Sequence, residues 1–207
     1  MKPQAGVLRE IAVAFLIAAA LWLAIYFLLP RLNGMEEPLA RLIFALKCGC
    51  VAVLFAFVLG IEAVAHERLR SPAIDPLAGY ETRRMTINLR YLQNTLEQLL
   101  VFLPGLFGLA YYCDSGAAVG AVIATTVVWI VGRFAFWIGY HQGSLHRAAG
   151  APSMMLGMAM LLYVGARFGS ELAGWPGSVA IVALFLAAEA ILFRTTKPLA
   201  RSEEDRR

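Results

Sequence analysis

Arg90, Asn94 and Glu97 stand at the head of an apolar run, RYLQNTLEQLLVFLP (90–104). At 100° per residue, Asn94 lies about 40° from Arg90 around a helix and Glu97 about 20° away on the other side. A cation, an amide and a carboxylate therefore share one stripe. The stretch WIVGRFAFWIGYHQGSLHR (129–147) has a similar pattern, with Arg133, Phe136, Trp137 and Tyr140 at i, i+3, i+4 and i+7. Arg147 follows just past the end of that helix. A structural ion pair between Glu97 and Arg133, with Arg90 snorkelling, would use one charge of each sign. It leaves a surplus, because Arg90, Arg133 and Arg147 gather at one end against a single Glu97. Surplus cation, an amide and an aromatic wall describe a pocket for a small anionic, zwitterionic ligand.

The elements that hold these residues are membrane helices. Of 207 residues, 60% are hydrophobic and 15% charged, more apolar surface than a soluble domain can bury. Six apolar segments, roughly 10–30, 40–65, 86–112, 116–140, 152–169 and 175–194, are separated by breaks rich in Gly and Pro. A charge in the middle of such a segment costs roughly 3 kcal/mol on insertion scales. The polar stripes must therefore face protein, water or a ligand. Basic residues collect at the N-terminus, in 66–84, around Arg147 and after Arg194, whereas acidic residues favour the opposite turns. That asymmetry predicts an integral inner-membrane protein with both termini cytoplasmic and RSEEDRR (201–207) as a solvated tail. The N-terminal run lacks a small-x-small cleavage site and reads as an uncleaved anchor.

Several chemistries are set aside. Cys48, Cys50 and Cys113 lie in or beside apolar segments, and their odd number fits neither a disulfide framework nor a zinc site. His66, His141 and His146 lack a third ligand at a useful spacing and read as loop or interface residues. Met154, Met155, Met158 and Met160 are scattered around a helix, as packing residues are. The net charge of +4 is dispersed along one membrane side, so nucleic acid is not an expected partner.

The two stretches together, RYLQNTLEQLLVFLP and, about thirty residues later, GRFAFWIGYHQGSLHR, resemble the MAPEG family, membrane-associated proteins of eicosanoid and glutathione metabolism. The resemblance covers roughly residues 45–170. It implies an all-α, four-helix protomer that assembles into a homotrimer, binds glutathione near the cytosolic face between neighbouring protomers, and meets lipophilic substrates from the bilayer. Residue by residue, Arg90, Asn94 and Glu97 match the second-helix motif that holds glutathione. Arg133 and Tyr140 match third-helix positions, and Arg147 matches the arginine that activates the thiol in catalytic members. A free thiol is only about 3% thiolate at pH 7, and a neighbouring guanidinium, charged at any physiological pH, lowers its pKa.

Two positions depart from the family pattern: Phe136 and Gln98 stand where some members carry tyrosine. The expected division is an N-terminal anchor helix (1–39), a MAPEG-like four-helix core (40–170), and an extra C-terminal helix with its tail (171–207). The expected function is glutathione binding, with glutathione as co-substrate and no metal, in a transferase or peroxidase acting on lipophilic electrophiles. Arg147 favours the enzyme. Phe136 and Gln98 keep open a non-catalytic lipid- or glutathione-binding scaffold, and a small transporter component is the reading from another class.

Overall fold

The apolar segments fold as helices in the computed structural model, which describes residues 2–30, 32–77, 79–113, 119–143 and 145–196, with side chains from Gly6 onward. The expected tail, RSEEDRR, lies outside the described residues. Every regular element among the described residues is helical, as an all-α membrane bundle requires. Four stretches are long and apolar enough to cross a membrane: Gly6–Leu28, Pro38–Leu69, Val119–Gln142 and His146–Thr195. The last is too long for one crossing and is broken, as described below.

Helix α1 spans Lys2–Leu28. Helix α2 (Pro38–Ala52) begins on a proline, whose missing N–H would have had no intrahelical partner there. It passes through a π-helical turn, Val53–Val58, into α3 (Leu59–Leu69). Helix α4 (Arg83–Tyr111) is capped by Thr82, whose hydroxyl accepts from the Met85 N–H at 3.0 Å. Its 29 residues reach about 43 Å at 1.5 Å per residue, enough to cross despite its polar stripe. Helix α5 (Val119–Gln142) is followed by a 3₁₀ turn, His146–Gly150, and α6 (Ala151–Thr195).

Residues 1–161 and 162–207 form two compact units. In the first, Ala45, Gly49, Ala52 and Ala56 recur every three or four residues and are buried. Small side chains at that spacing let α4 approach closely, and Leu103 fills the space that a side chain at Gly49 would need. Phe102 of α4 stacks on Trp129 of α5, ring centres 4.4 Å apart, at the centre of the core. Buried Arg41 is satisfied by carbonyls: its Nε donates to Ala110 at 3.1 Å, and one Nη to Met35 and Glu36. Helix α1 lies against α5, where Trp22 Nε1 donates to Thr125 Oγ1 at 2.9 Å and Tyr26 rests on Gly120.

The second unit is a helical hairpin. Helix α6 breaks at Ala173 and Gly174, and Gly174 takes a positive φ of 65°, a conformation open to glycine and strained for other residues. The chain then returns antiparallel, so Gly165 meets Ile181, Gly169 meets Gly177, and Ser178 donates to the Ala166 carbonyl at 2.7 Å. The sequence break expected at GSELAGWPG (169–177) is this turn.

Tyr91 links the π-helical turn to the polar end of the bundle. Its ring stacks on Trp137 at 4.5 Å, while its hydroxyl donates to the Ala56 carbonyl at 2.6 Å. A π-helical turn disturbs the regular i→i−4 ladder, and carbonyls there need partners from outside the helix. Tyr91→Phe keeps the stack but removes that buried hydrogen bond. It is expected to cost about 1–3 kcal/mol, read as a lower melting temperature in detergent. An unchanged melting temperature would mean that another donor reaches Ala56.

Candidate functional site

The polar stripe of α4 forms one wall of a cavity of about 450 Å³, with Arg90, Gln93, Asn94, Glu97 and Gln98 along it. Phe136 and Tyr140 of α5 form the second wall. Arg147, Ala148 and Gly150 of the 3₁₀ turn, with Ala151 and Met154 of α6, close the third. Helix periodicity explains the first two walls: α4 and α5 each expose one face to the same space. The third depends on how closely the turn folds back on α5. The turn's His146 carbonyl lies where a side chain at Gly139 would stand, and Phe136 fills the space that a side chain at Gly150 would need. Glycine at these two positions lets the turn lie flat and brings Arg147 to the cavity.

Five of the six expected site residues, Arg90, Asn94, Glu97, Tyr140 and Arg147, therefore line one cavity. Arg133 does not. It is fully buried beneath Phe136, with its guanidinium carbon 4.5 Å from that ring's centre and 5.4 Å from the Tyr91 ring. Phe136 lies one turn on from Arg133, and its ring packs back over the guanidinium. One Nη donates to Thr95 Oγ1 at 2.9 Å, and Thr95 in turn donates to the Tyr91 carbonyl at 2.7 Å. The Arg133 Nε and its other Nη have no hydrogen-bond partner among the described residues. Two aromatic faces offset part of the desolvation of a buried cation, through the ring quadrupoles. They do not satisfy its N–H groups.

The structural ion pair between Glu97 and Arg133 does not form among the described residues. Glu97 instead accepts from Gln93 Nε2 at 3.3 Å, and Gln93 Oε1 accepts from Arg90 at 3.4 Å. Both contacts are long and solvent-exposed, so they order the stripe without neutralising its charges. Beside this ladder, Gln98 donates to Asn94 Oδ1 at 3.4 Å and accepts from Ser153 at 3.2 Å, tying α4 to the start of α6. Arg147 is exposed and rests over the Tyr140 ring at 5.6 Å. The cavity thus has two unpaired cations on its rim, Arg90 and Arg147, a third beneath its floor, and one carboxylate. It can hold a small ligand with more negative than positive charge, and Arg147 can stabilise an anion formed beside it.

Periodicity alone misses Gln93, Thr95, Ser153 and the stretch Ala148–Ala151. Gln93 lies at i+3 from Arg90, a signal that the stripe itself carries. Thr95, Ser153 and the turn matter through contacts distant in sequence, which no local pattern reveals. Asn88 is a further addition behind the site. It accepts from Trp137 Nε1 at 3.0 Å and lies 3.2 Å from His141 Nε2, fixing the C-terminal end of α5.

Comparison with known proteins fits this geometry. A protein-family model described as the MAPEG family matches residues 42–169. The uncharacterized protein sll1147 of Synechocystis sp. is 41% identical over 117 residues, which cover 56% of this chain and 80% of the relative. No solved structure matches the chain. The family match takes in α4, α5, the 3₁₀ turn and the first part of α6, all the elements that build the cavity, and leaves α1 outside. An integral membrane helix bundle with this match over most of its length is a member of the MAPEG family.

Proposed function

We propose that the cavity binds glutathione and that Arg147 holds its thiol as thiolate, for reaction with a lipophilic partner from the bilayer. The observation that carries this reading is the charge pattern: Arg90 and Arg147 unpaired at the rim, Arg133 with free N–H groups below, and only Glu97 opposed to them. Glutathione brings two carboxylates, one ammonium and two amide bonds. Glu97 suits the ammonium, Arg90 a carboxylate, and Asn94 the peptide backbone, while Tyr140 walls the site. Arg133 adds its positive field from beneath Phe136. In a transferase reaction the thiolate sulfur gives an electron pair to the electrophilic carbon and forms a C–S bond, as a leaving group departs or the adduct takes a proton. In peroxide reduction two glutathiones give a disulfide, and the peroxide becomes an alcohol and water.

The site belongs to an assembly in this reading. Arg90, Gln93 and Glu97 are exposed on the surface of a single chain, next to exposed Leu96 and Leu100. Charged groups at that depth are costly against lipid, and a second copy packed on α4 would cover them. A homotrimer, as the family resemblance implies, does this. The distribution of basic residues supports an orientation with both termini and the cavity mouth on the cytoplasmic side of the inner membrane, where the cell's soluble thiols are. One observation favours a second reading, a glutathione- or lipid-binding scaffold without catalysis: Phe136 offers no hydroxyl to a ligand.

Thiolate absorbance of glutathione titrated into the detergent-purified protein tests the proposal. A saturable signal at pH 7 that disappears in Arg147→Ala, with glutathione still bound, is the expected outcome. Binding without a thiolate signal in the wild-type protein would select the scaffold. Absence of binding by folded protein would defeat both readings.

Arg133 generates a second test. A buried cation with unpaired N–H groups is a cost to the fold, and a residue of similar shape without the charge removes it. Arg133→Met is expected to melt at the wild-type temperature or above it while weakening glutathione binding about tenfold or more, a loss of about 1.4 kcal/mol. A large drop in melting temperature with unchanged affinity would make Arg133 a purely structural residue.

A further inference from the structure

The 3₁₀ turn that carries Arg147 is a thin partition. Arg147, Ala148 and Gly150 face the glutathione cavity on one side. His146 and Ala149 face a second cavity of about 660 Å³ on the other, between α1 and α5. The turn packs on α5 and also meets α1 beside this cavity. The His146 N–H donates to Gly143 and the Ala148 N–H to Leu145, each at 3.1 Å, and further along the Ala151 N–H donates to Ala148 and Ser153 Oγ to Gly150. From α1 a specific polar contact is added. Glu10 Oε1 of α1 lies 2.8 Å from His146 Nδ1, with both side chains about half-exposed. An ionised carboxylate only accepts, so the ring nitrogen is the donor.

Helix α1 has the rigidity to serve as the other end of such a link. It runs unbroken from Lys2 to Leu28 and is pinned near its far end by the Trp22–Thr125 hydrogen bond and the packing of Tyr26 on Gly120. Those anchors hold α1 on α5, the same helix against which the turn lies. Glu10 thus reaches the turn from a fixed support, one residue from the arginine assigned to the thiol. Arg9 and Gln142 also line the second cavity.

We propose that Glu10 is a positioning residue for Arg147: by clamping His146 it fixes the turn, so the N-terminal helix outside the family core forms part of the thiol-activating site. The inference rests on the glutathione reading above. Without the clamp the turn is less firmly held, the guanidinium spends less time beside the sulfur, and the bound thiol returns toward its free pKa.

Two readouts on the full chain in detergent test this. Hydrogen exchange at the His146 and Ala148 amides reports the turn, and thiolate absorbance of bound glutathione against pH reports the site. Glu10→Gln should speed exchange at both amides and raise the bound thiol's pKa by half a unit or more, about a threefold fall in its ionisation constant. The exchange of partners, Glu10→His with His146→Glu, should restore both. Glu62→Gln, which removes a comparable pair with His66 on α3, should change neither. An unaltered thiol titration in Glu10→Gln, with glutathione bound, would overturn the proposal even if exchange increased. A wild-type protein that binds glutathione without forming thiolate would fail one step earlier and indict the site reading itself.

Discussion

The packing at this bundle's polar end centres on a guanidinium held without counter-charge among the described residues. Arg133 sits between the rings of Phe136 and Tyr91 with a single hydrogen bond, to Thr95. Each partner is fixed by a further contact. Thr95 is tied to the α4 backbone, Tyr91 to the π-helical turn through Ala56, and Phe136 lies against Gly150. The cation therefore joins the π-helical turn after α2, then α4, α5 and the 3₁₀ turn, in one packed set. A neutral side chain of similar shape can keep this packing but leaves the cavity floor without its charge, and a lysine would offer no flat face to the rings.

Much of this was legible in the sequence because it is periodic. The walls built by Arg90, Asn94 and Glu97 and by Phe136 and Tyr140 are single helix faces, and a helix face is a local property. Composition and the spacing of apolar runs specified an all-α membrane bundle for the same reason, and Gly and Pro marked the reversal at Gly174. Depth was not legible. Arg133 shares a helical face with Tyr140, yet one is sealed in the core and the other lines the cavity. The difference arises because Phe136 folds over the arginine, a choice made by side-chain packing rather than by spacing. The alternative of a structural salt bridge is absent among the described residues for a related reason. Glu97 lies toward the exposed side of α4, away from the buried arginine, and a stripe about 60° wide is broad enough to hold both directions.

His146 shows the other limit. As a residue in a loop it carried no pattern, and its spacing to His141 pointed nowhere. Its partner is 136 residues away, on a helix that composition identified only as an anchor. The two glycines that flatten the turn, Gly139 and Gly150, were equally silent, because a glycine in an apolar helix has many reasons to be there. In each case the information lies in a contact between distant segments, and a single sequence does not display it.

The attachment of α1 has a consequence for how the protein is made. Trp22 waits for Thr125, 103 residues later in the chain, and Glu10 for a turn later still. During synthesis, α1 enters the bilayer long before the surface it will rest on exists. It must stand alone in lipid, as its exposed leucines and phenylalanines allow, while α2 to α5 assemble. Its docking is thus a late event, with high loop-closure cost and few contacts to nucleate it. A bundle that has not yet gathered its first helix would already have its cavity walls, and would lack only the last support for the turn between them.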